Sequence, residues 1–293
     1  MKPYVIVNPA AGSVSTAKAL TEQLSRLRPS KVHLTKKCGD ARRFARDAIE
    51  NGCRYIISAG GDGTLNEVIN GIGSRAKHVC VGLVPLGTGN DFARALGLPL
   101  GLDDNIEILR SAKTQPVDLV RVRAQKVKYF VNVSAGGFSG MVDEKLTPEI
   151  KRVWGPFSYI RGAAAALPKL HAYQTRVVID DTEELSLELY NVVIGNGRFV
   201  AGGLPIAPEA NPNDGLLDVI LIPKRSVGET VLLAAEIVLG KHISNKSVVF
   251  RRGRKISVQS KPGMWFNVDG EFVGNVPAIF QIVPSALNFV VGK

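Results

Sequence analysis

The sequence predicts an α/β domain followed by a β-rich domain. Through about residue 122, short β-branched runs alternate with helical patterns, which favours a doubly wound, mostly parallel sheet with helices on both faces. Beyond that point strand-like runs follow one another at short intervals with turn residues between them, as in a sandwich or barrel. The 293 residues are enough for two domains. The predicted boundaries are 1–122, with 285–293 returning to complete that domain, and 123–284; the cleft between them is the expected active site.

The elements of the first domain follow from local patterns. Strands ending in turns are predicted at 4–9, 55–61 and 79–87, and a shorter strand at 31–34. Helices are predicted at 16–28, 40–51 and 65–72. Asp40 is the expected N-cap of the second helix, because a short acidic side chain can accept a hydrogen bond from a free N–H group there, and Gly52 lies just past its end.

The elements of the second domain are mostly strands separated by turn residues. The predicted strands are 128–134, 175–180, 185–196, 216–223, 247–250, 255–260, 264–273 and 278–291. Helical patterns return only around 145–171 and 227–240. The sequence contains no internal repeat or low-complexity tract.

Composition limits the classes of function. The 37 Lys and Arg residues against 26 Asp and Glu give a net charge of +11, which suggests an anionic partner: nucleic acid, a membrane or a phosphate-rich substrate. Three cysteines without paired spacing argue against a disulfide framework and for a reducing compartment. The first apolar run is too short for a signal peptide and no run is long enough to span a bilayer, so we expect a cytoplasmic protein with at most peripheral membrane contact.

Three glycine-containing turns follow predicted strands and are the most specific indication of a binding site in the sequence. They are Asn8–Ser13, Ser58–Thr64 and Pro85–Phe92. Glycine lets the backbone approach a ligand closely, and N–H groups at a following helix N-terminus can hold phosphate. Because the carboxyl ends of parallel strands share one edge of a sheet, the three turns together predict a nucleotide site there. Neither standard nucleotide fingerprint is present; a plain strand-to-helix connection is the alternative for each turn taken alone.

These turns resemble the diacylglycerol-kinase catalytic-domain family, and more closely its stand-alone bacterial soluble lipid kinases. The order and spacing of three blocks match: Asn8-Pro9-Ala10-Ala11-Gly12, Gly60-Gly61-Asp62-Gly63-Thr64-Leu65-Asn66-Glu67 and Gly87–Arg94. The second half agrees through Asn132–Phe138, Asn213–Asp218 and Val268–Glu271. The resemblance implies an NAD-kinase-like fold and ATP as the co-substrate. The residues that would line the ATP site are Asn8, Pro9, Ala10, Ala11, Gly12, Thr35, Gly60, Gly61, Asp62, Gly63, Thr64, Leu65, Asn66 and Thr88.

The resemblance also implies the catalytic groups. Phosphoryl transfer needs positioning, Mg²⁺ and a base near the attacking hydroxyl. Glu271 is the implied general base, and Asp62, Asp118 and Asp269 belong to a magnesium-linked network. Asp118 reads equally well as a charged residue at a domain boundary. Asp269 lies on the same strand face as Glu271 if that strand continues, although Asp-Gly is also a common hairpin turn.

A second magnesium position is implied at Asn211–Leu216. Asp214 would supply its carboxylate, and Asn211 and Leu216 would supply main-chain carbonyls. A plain Asn-Asp-Gly turn that needs no metal is the alternative.

The positive charge is spread over both domains, because residues 1–122 carry 17 basic and 11 acidic side chains and residues 123–293 carry 20 and 15. Two stretches concentrate it, 145–169 and 241–261. The first also carries aromatic residues, which favour the headgroup depth of a bilayer, so it is the expected docking segment against anionic lipid at the inner face of the membrane. The expected docking residues are Lys151, Arg152, Trp154, Phe157, Tyr159 and Arg161.

The leading hypothesis is an ATP- and Mg²⁺-dependent lipid kinase, with diacylglycerol as the default substrate and phosphatidic acid as the product. An NAD kinase-like enzyme and a catalytically silent lipid- or nucleotide-binding protein are the alternatives. No nucleic-acid-binding module is recognisable, so nucleic acid is not an expected partner. Because related bacterial kinases form dimers, a homodimer is a further expectation.

Overall fold

The computed structural model describes residues 2–12, 16–137, 171–275 and 277–292. The chain divides into two compact units. The first contains residues 1–119 and 283–293, and the second contains residues 120–282. The chain crosses between them within two strands, β5 (Thr114–Arg123) and β15 (Ala278–Val290).

The elements of the first unit, besides β5 and β15, are β1 (Tyr4–Val7), α1 (Ala17–Ser25), β2 (Lys31–Leu34), α2 (Asp40–Glu50), β3 (Tyr55–Gly60), α3 (Asp62–Ile72), a 3₁₀ helix (Gly73–His78), β4 (Cys80–Pro85), α4 (Asp91–Ala95) and α5 (Leu102–Ser111). They are built on a parallel sheet with strand order β2-β1-β3-β4-β15. The edge strand β2 pairs with β1, and the end of β15 pairs with β4 through Asn288 and Phe289. The predicted α/β architecture is confirmed.

The start of α2 differs from the prediction. Gly39, not Asp40, is the N-cap, and the Asp40 carboxylate turns back to accept the N–H groups of Lys36 and Lys37 at 2.9 and 3.1 Å. The free N–H groups of the first turn are instead satisfied from α3. The Glu67 carboxylate accepts from Gly39 at 2.8 Å and from Ala41 at 3.0 Å. A side chain distant in sequence therefore caps this helix, which a local pattern does not reveal.

The second unit is built on antiparallel pairs. Its elements are β6 (Val127–Phe130), β7 (Val133–Gly137), β8 (Tyr173–Ile179), β9 (Glu183–Gly195), β10 (Leu217–Pro223), α6 (Val227–Val238), a 3₁₀ turn (His242–Ser244), β11 (Val249–Gly253), β12 (Lys255–Lys261), β13 (Phe266–Val268) and β14 (Glu271–Gly274). The main strand order is β14-β13-β7-β9-β8-β12-β15; β10 pairs with β9 and β11, and β6 pairs with β5. The β-rich prediction is confirmed, whereas the helical pattern around 145–171 lies almost entirely outside the described residues.

The single strand predicted at 128–134 is two strands. The break falls at Val131 and Asn132, between β6 and β7. Its main-chain groups bond to distant side chains: the Val131 carbonyl accepts from the Asn196 amide at 2.6 Å, and the Asp269 carboxylate accepts from the N–H groups of Val131 and Val133. These contacts replace strand pairing at the break.

Each unit has its own apolar core. In the first unit, residues from β1, β3, β4, α1 and α5 pack together, including Val5, Leu24, Ile57 and Ile106. In the second unit one cluster is organised around Phe130, Phe266 and Phe280, where the Phe280 ring meets the other two edge to face with centroids 5.2 and 6.3 Å apart. Among the described residues, no helix combines the length and apolarity needed to cross a membrane.

His242 is a fully buried histidine in the second unit. Its Nε2 lies 2.9 Å from the Ile206 carbonyl oxygen, whereas its Nδ1 has no hydrogen-bond partner. A carbonyl oxygen only accepts, so Nε2 carries the proton and Nδ1 is unprotonated. Burial lowers the pKa of this imidazole, against a smaller raising effect of the hydrogen bond to Ile206. Protonation would leave a charged, unpaired N–H group in the core.

We expect His242 to make the protein less stable in acid. Because its folded-state pKa lies below the unfolded value of about 6.5, the unfolded chain binds more protons. The stabilisation is therefore present above the unfolded pKa and is lost as the pH falls below it. Urea unfolding at pH about 7.5 and about 5 measures the effect. His242→Gln should flatten this part of the pH dependence relative to the wild type, and equal slopes in the variant and the wild type would contradict the assignment.

Candidate functional site

The first glycine-containing turn is tied to the start of α3 by Asn8. Its amide Nδ2 donates to the Thr64 hydroxyl at 3.2 Å, and its Oδ1 accepts from the Ala10 N–H at 3.0 Å. The Asn8 main chain also donates to the Ala59 carbonyl at 2.9 Å. One side chain thus shapes its own turn and joins it to the turn that follows β3.

The second and third turns approach each other so closely that only glycine fits. A Cβ atom at Gly87 would lie 2.5 Å from the Cα atom of Gly61. The first turn reaches the third as well, since a Cβ atom on Gly12 would lie 3.0 Å from the Thr88 hydroxyl. The structure therefore brings the three predicted turns together at the carboxyl edge of the parallel sheet, as the sequence predicted for parallel strand ends.

The Asp62 carboxylate joins the second turn to the third. Its two oxygens accept from the main-chain N–H groups of Asp91 at 3.1 Å and Phe92 at 3.2 Å, at the start of α4. Asn90 closes the same turn, because its side chain accepts from the Gly87 N–H and donates to the Gly87 carbonyl. Asn90 adopts a left-handed conformation with φ of 52°. The acidic side chain that would repel a bare phosphate is therefore occupied in holding the turn.

The remaining predicted nucleotide residues vary in exposure. Thr64, Leu65 and Asn66 are buried in the first turn of α3, whereas Ala10, Gly12, Gly63 and Thr88 are exposed. Thr35 follows β2, where its N–H donates to the Val7 carbonyl at 2.8 Å, and its side chain is half-buried. Thr35 therefore lies at the carboxyl edge of the sheet with the three turns.

Asp118 is a buried acid of the first unit. It is 1% exposed, and its Oδ1 accepts from the Ser285 N–H at 2.7 Å. Ser285 is left-handed, with φ of 49°, so this bond fixes an irregular point in β15. The contact gives Asp118 a structural task, and its membership of a magnesium-linked network stays a prediction.

In the second unit the expectation that Asp269 and Glu271 share one continuous strand face is wrong. Asp269 and Gly270 are the two central residues of a hairpin turn between β13 and β14, with φ of 44° and 91°. Two positive φ values define the type I′ turn that Asp-Gly favours. The Asp269 carboxylate points to the main chain, accepting from Val133 at 3.0 Å and Val131 at 3.3 Å. It anchors the hairpin to the link between β6 and β7.

Glu271 is the first residue after this turn and meets a lysine that the sequence analysis missed. The Lys128 ammonium donates to the Glu271 carboxylate at 2.5 Å, with the two side chains 17% and 31% exposed. Lys128 belongs to β6, 143 positions away in the chain. In the sequence, Lys128 is indistinguishable from an ordinary surface lysine of a strand. Its contact with Glu271 becomes visible only in the folded structure.

The Asn211–Leu216 turn exposes oxygen atoms. The Asp214 Oδ1 accepts from the Leu216 N–H at 3.0 Å, and the Asp214 N–H lies 3.4 Å from the Asn211 carbonyl. Asp218, just beyond the turn, is 2% exposed; its Oδ1 accepts from Arg252 Nε at 2.8 Å, but its Oδ2 has no partner. Burial raises the pKa of Asp218 to about 6 in spite of Arg252, and the charge of Asp214 adds to the effect.

The oxygen atoms of this turn are of the type that magnesium binds. Among the described residues no group of three or more His, Cys, Asp or Glu side chains could hold a metal ion. Mg²⁺ needs only one or two carboxylates when waters complete its shell. The hard oxygen donors of the Asn211–Leu216 turn fit that requirement, beside a buried carboxylate oxygen that lacks a partner. Asp62, Asp118 and Asp269 each accept hydrogen bonds from main-chain N–H groups, and their carboxylate oxygens are of the hard donor type that Mg²⁺ and its waters require.

The expected docking residues lie outside the described residues. They are Lys151, Arg152, Trp154, Phe157, Tyr159 and Arg161. In the second basic stretch, 241–261, several charges are already paired: Arg251 with Glu183, Arg252 with Asp218 and Lys255 with Asp181. The positive surplus of that stretch is therefore smaller than the sequence suggested.

Comparisons with known proteins identify the fold and then the family. Residues 2–122 match the diacylglycerol kinase catalytic domain, and residues 132–291 match the YegS C-terminal NAD kinase beta sandwich-like domain. A crystal structure of a diacylglycerol kinase from Bacillus anthracis str. Sterne covers 99% of this chain and 96% of its own, with a TM-score of 0.75 and 21% identity. An NAD kinase from Archaeoglobus fulgidus in complex with ATP covers 98% and 93%, with a TM-score of 0.55 and 15% identity. The chain therefore has an NAD-kinase-like fold.

Relatives by sequence identify the family of this chain among proteins with an NAD-kinase-like fold. Diacylglycerol kinase of Staphylococcus saprophyticus is 32% identical over 280 residues, covering 94% of this chain and 90% of its own. Diacylglycerol kinase of Bacillus subtilis is 30% identical over 300 residues, covering 99% and 96%. The chain belongs to the diacylglycerol kinase family, a family of lipid kinases, and the resemblance inferred from its motifs is confirmed.

We expect Asp62→Ala to destabilise the protein by about 1–3 kcal/mol, because two N–H groups at the start of α4 lose their acceptor. Denaturant unfolding of the purified protein measures the change in the free energy of unfolding. The matched control is Glu22→Ala, an exposed acid on α1, which should change the free energy by less than about 0.5 kcal/mol. Equal effects of the two substitutions would contradict the bridging role of Asp62.

Proposed function

We propose that this protein is an ATP-dependent lipid kinase that transfers the γ-phosphate of ATP to a lipid hydroxyl, with diacylglycerol as the substrate. The observation that carries the proposal is the convergence of the three glycine-containing turns, joined by the Asn8–Thr64 hydrogen bond and the close approach of Gly61 and Gly87. Closely packed turns that lead into helices offer main-chain N–H groups to phosphate without a bulky side chain in the way.

The nucleotide would bind to the first unit. The exposed residues Ala10, Gly12, Gly63 and Thr88 present backbone and one hydroxyl at the carboxyl edge of the parallel sheet. Of the nucleotide residues predicted above, Asp62 is the single charged side chain, and its carboxylate is neutralised in part by two N–H donors. Backbone dipoles, with Mg²⁺ as the source of positive charge, would therefore hold the phosphates.

Magnesium would supply electrostatic stabilisation of the phosphate oxygens during transfer. Asp62, Asp118 and Asp269 would orient the water around the ion, since each already has its carboxylate fixed by main-chain donors. A second Mg²⁺ would bind at the Asp214 carboxylate and the carbonyls of Asn211 and Leu216, where the buried oxygen of Asp218 adds negative charge.

Glu271 would act as the general base. Its carboxylate would take the proton from the lipid hydroxyl while that oxygen attacks the γ-phosphorus and the bond to the bridging oxygen of ADP breaks. The type I′ turn before Glu271 and the two main-chain bonds of Asp269 hold this carboxylate in a defined position. A positioned base contributes typically 10²- to 10⁴-fold to such a step.

Lys128 would hold that base in place. Its ammonium group lies 2.5 Å from the Glu271 carboxylate, and this charge-assisted hydrogen bond limits the orientations that the carboxylate can adopt. We therefore assign Lys128 as a positioning residue, because its contact is with the base and acts on the substrate through it.

The experiment that tests the function is a radiolabelled-ATP assay against diacylglycerol, phosphatidylglycerol, sphingoid bases and NAD. We expect Mg²⁺-dependent label in phosphatidic acid and none in NADP. Label in another lipid would retain the lipid kinase and correct its substrate. Label in NADP would favour the NAD kinase alternative, and no transfer with intact ATP binding would favour a silent binding protein.

Glu271→Gln should lower the turnover number by about 10²- to 10⁴-fold while ATP binding is unchanged, because the amide cannot take the proton. Turnover is measured in the same assay and ATP binding by calorimetry. Glu184→Gln is the matched control, an exposed glutamate that pairs with Arg176 and should leave both quantities intact. Near-normal turnover in Glu271→Gln would overturn the assignment of the base.

Lys128→Met should lower the turnover number and leave the KM for ATP unchanged, because Glu271 then loses the partner that orients its carboxylate. Lys128→Arg, which restores a cationic donor, should recover part of the lost turnover. A purely structural role would lower the free energy of unfolding and the turnover of both variants alike, and that result would contradict the assignment.

A further inference from the structure

Helix α6 (Val227–Val238) and the turn after it expose a continuous apolar face. Val227, Val231, Leu232 and Leu239 are 65%, 52%, 66% and 67% exposed. These are four of the ten large hydrophobic side chains that are exposed within the described ranges. Such clustering on one surface marks an interaction site more often than chance exposure does.

The exposed residues fall on one side of the helix. Val227, Val231, Ala235 and Leu239 follow at intervals of four, with Leu232 beside them, so together they cover an arc of roughly 140° at about 100° per residue. The opposite side carries Leu233, which is 2% exposed and packs in a core cluster of the second unit with Ile206, Ile220 and Val248. The helix is thus apolar on both its packed and its exposed sides, although an exposed helix normally has a polar outer face.

The acidic side chains of α6 form hydrogen bonds at the helix N-terminus and with a neighbouring segment, and the exposed arc carries no charged side chain. Glu229 forms a capping box with Ser226. Glu236 accepts from the Asn245 amide at 2.7 Å. Both acids lie outside the arc formed by Val227, Val231 and Leu239.

Basic residues flank both ends of this face. Lys224 precedes the helix, and Lys241 and Lys246 follow it, all with exposed side chains. Lys224 pairs with Glu188 at 3.0 Å, whereas Lys241 and Lys246 form no ion pair with any described residue. An uncharged apolar strip with exposed ammonium groups at its end is complementary to an anionic bilayer, where apolar side chains enter the acyl boundary and lysines reach the headgroups.

We propose that the exposed face of α6, defined by Val227, Val231, Leu232, Ala235 and Leu239, docks the protein onto an anionic lipid bilayer, with Lys241 and Lys246 contacting the headgroups. The choice of a lipid surface over another occupant rests on this charge complementarity and on the proposed function, whose substrate resides in a bilayer.

The test is co-sedimentation of the full chain with vesicles, in the absence of ATP and diacylglycerol, so that its outcome is independent of catalysis. Vesicles of phosphatidylcholine alone are compared with an equimolar mixture of phosphatidylcholine and phosphatidylglycerol. We expect binding to the mixed vesicles, and the double variant Val231→Gln/Leu232→Gln should bind roughly tenfold more weakly, because two apolar side chains no longer enter the bilayer. Lys241→Gln/Lys246→Gln should weaken binding to the mixed vesicles and reduce its salt dependence.

The matched control is Leu100→Gln, a leucine of the first unit that is 43% exposed and should bind vesicles like the wild type. Hydrogen exchange of the wild-type chain gives a second readout: vesicles should slow exchange in 227–239 and leave α5 unchanged. Equal binding by the α6 and Leu100 variants, or unaltered exchange in 227–239, would overturn the proposal. A dimer that the α6 variant converts to monomer without loss of vesicle binding would assign this face to a second copy.

Discussion

The arrangement of the three glycine-containing turns depends on the Asp62 carboxylate. It follows β3 and accepts two main-chain N–H groups from the start of α4, so the second turn and the third have one fixed separation. That separation is so short that a Cβ atom on Gly87 would lie 2.5 Å from the Cα atom of Gly61. Replacing one of these glycines and removing the Asp62 carboxylate would therefore have the same structural effect, because each change would move one turn relative to the other.

In the second unit, too, an aspartate carboxylate joins two segments of the chain by accepting main-chain N–H groups. Asp269 bonds the N–H groups of Val131 and Val133, and in doing so it attaches the β13–β14 hairpin to the break between β6 and β7. The strand before that break carries Lys128, and the strand after the hairpin turn carries Glu271. The ion pair between them consequently depends on the same anchoring, which links a structural aspartate to the placement of the proposed base.

The sequence predicted the parts of this molecule that depend on local pattern. The strand at 31–34, the three turns and the change from α/β to antiparallel texture all follow from short-range periodicity and glycine placement, and they agree with the structure. The capping of α2 by Glu67, the break at Val131 and the Lys128–Glu271 pair depend on residues far apart in the chain, and periodicity carries no information about them. The roles of Asp118, Asp214 and Glu271 were derived from resemblance, and they stay predictions.

The Asp-Gly turn between β13 and β14 restricts the insertions and deletions that sequences of this family can carry at this hairpin. A two-residue turn fixes the parity of the hairpin: Val268 faces Glu271, and the next residue, Phe272, lies on the opposite face. Deleting one residue of the turn would bring the Phe272 ring to the position of the Glu271 carboxylate, and inserting one would turn that carboxylate to the opposite face. The length of this loop is therefore as important to the proposed placement of the base as the identity of the acid, and insertions or deletions here should be tolerated less than substitutions.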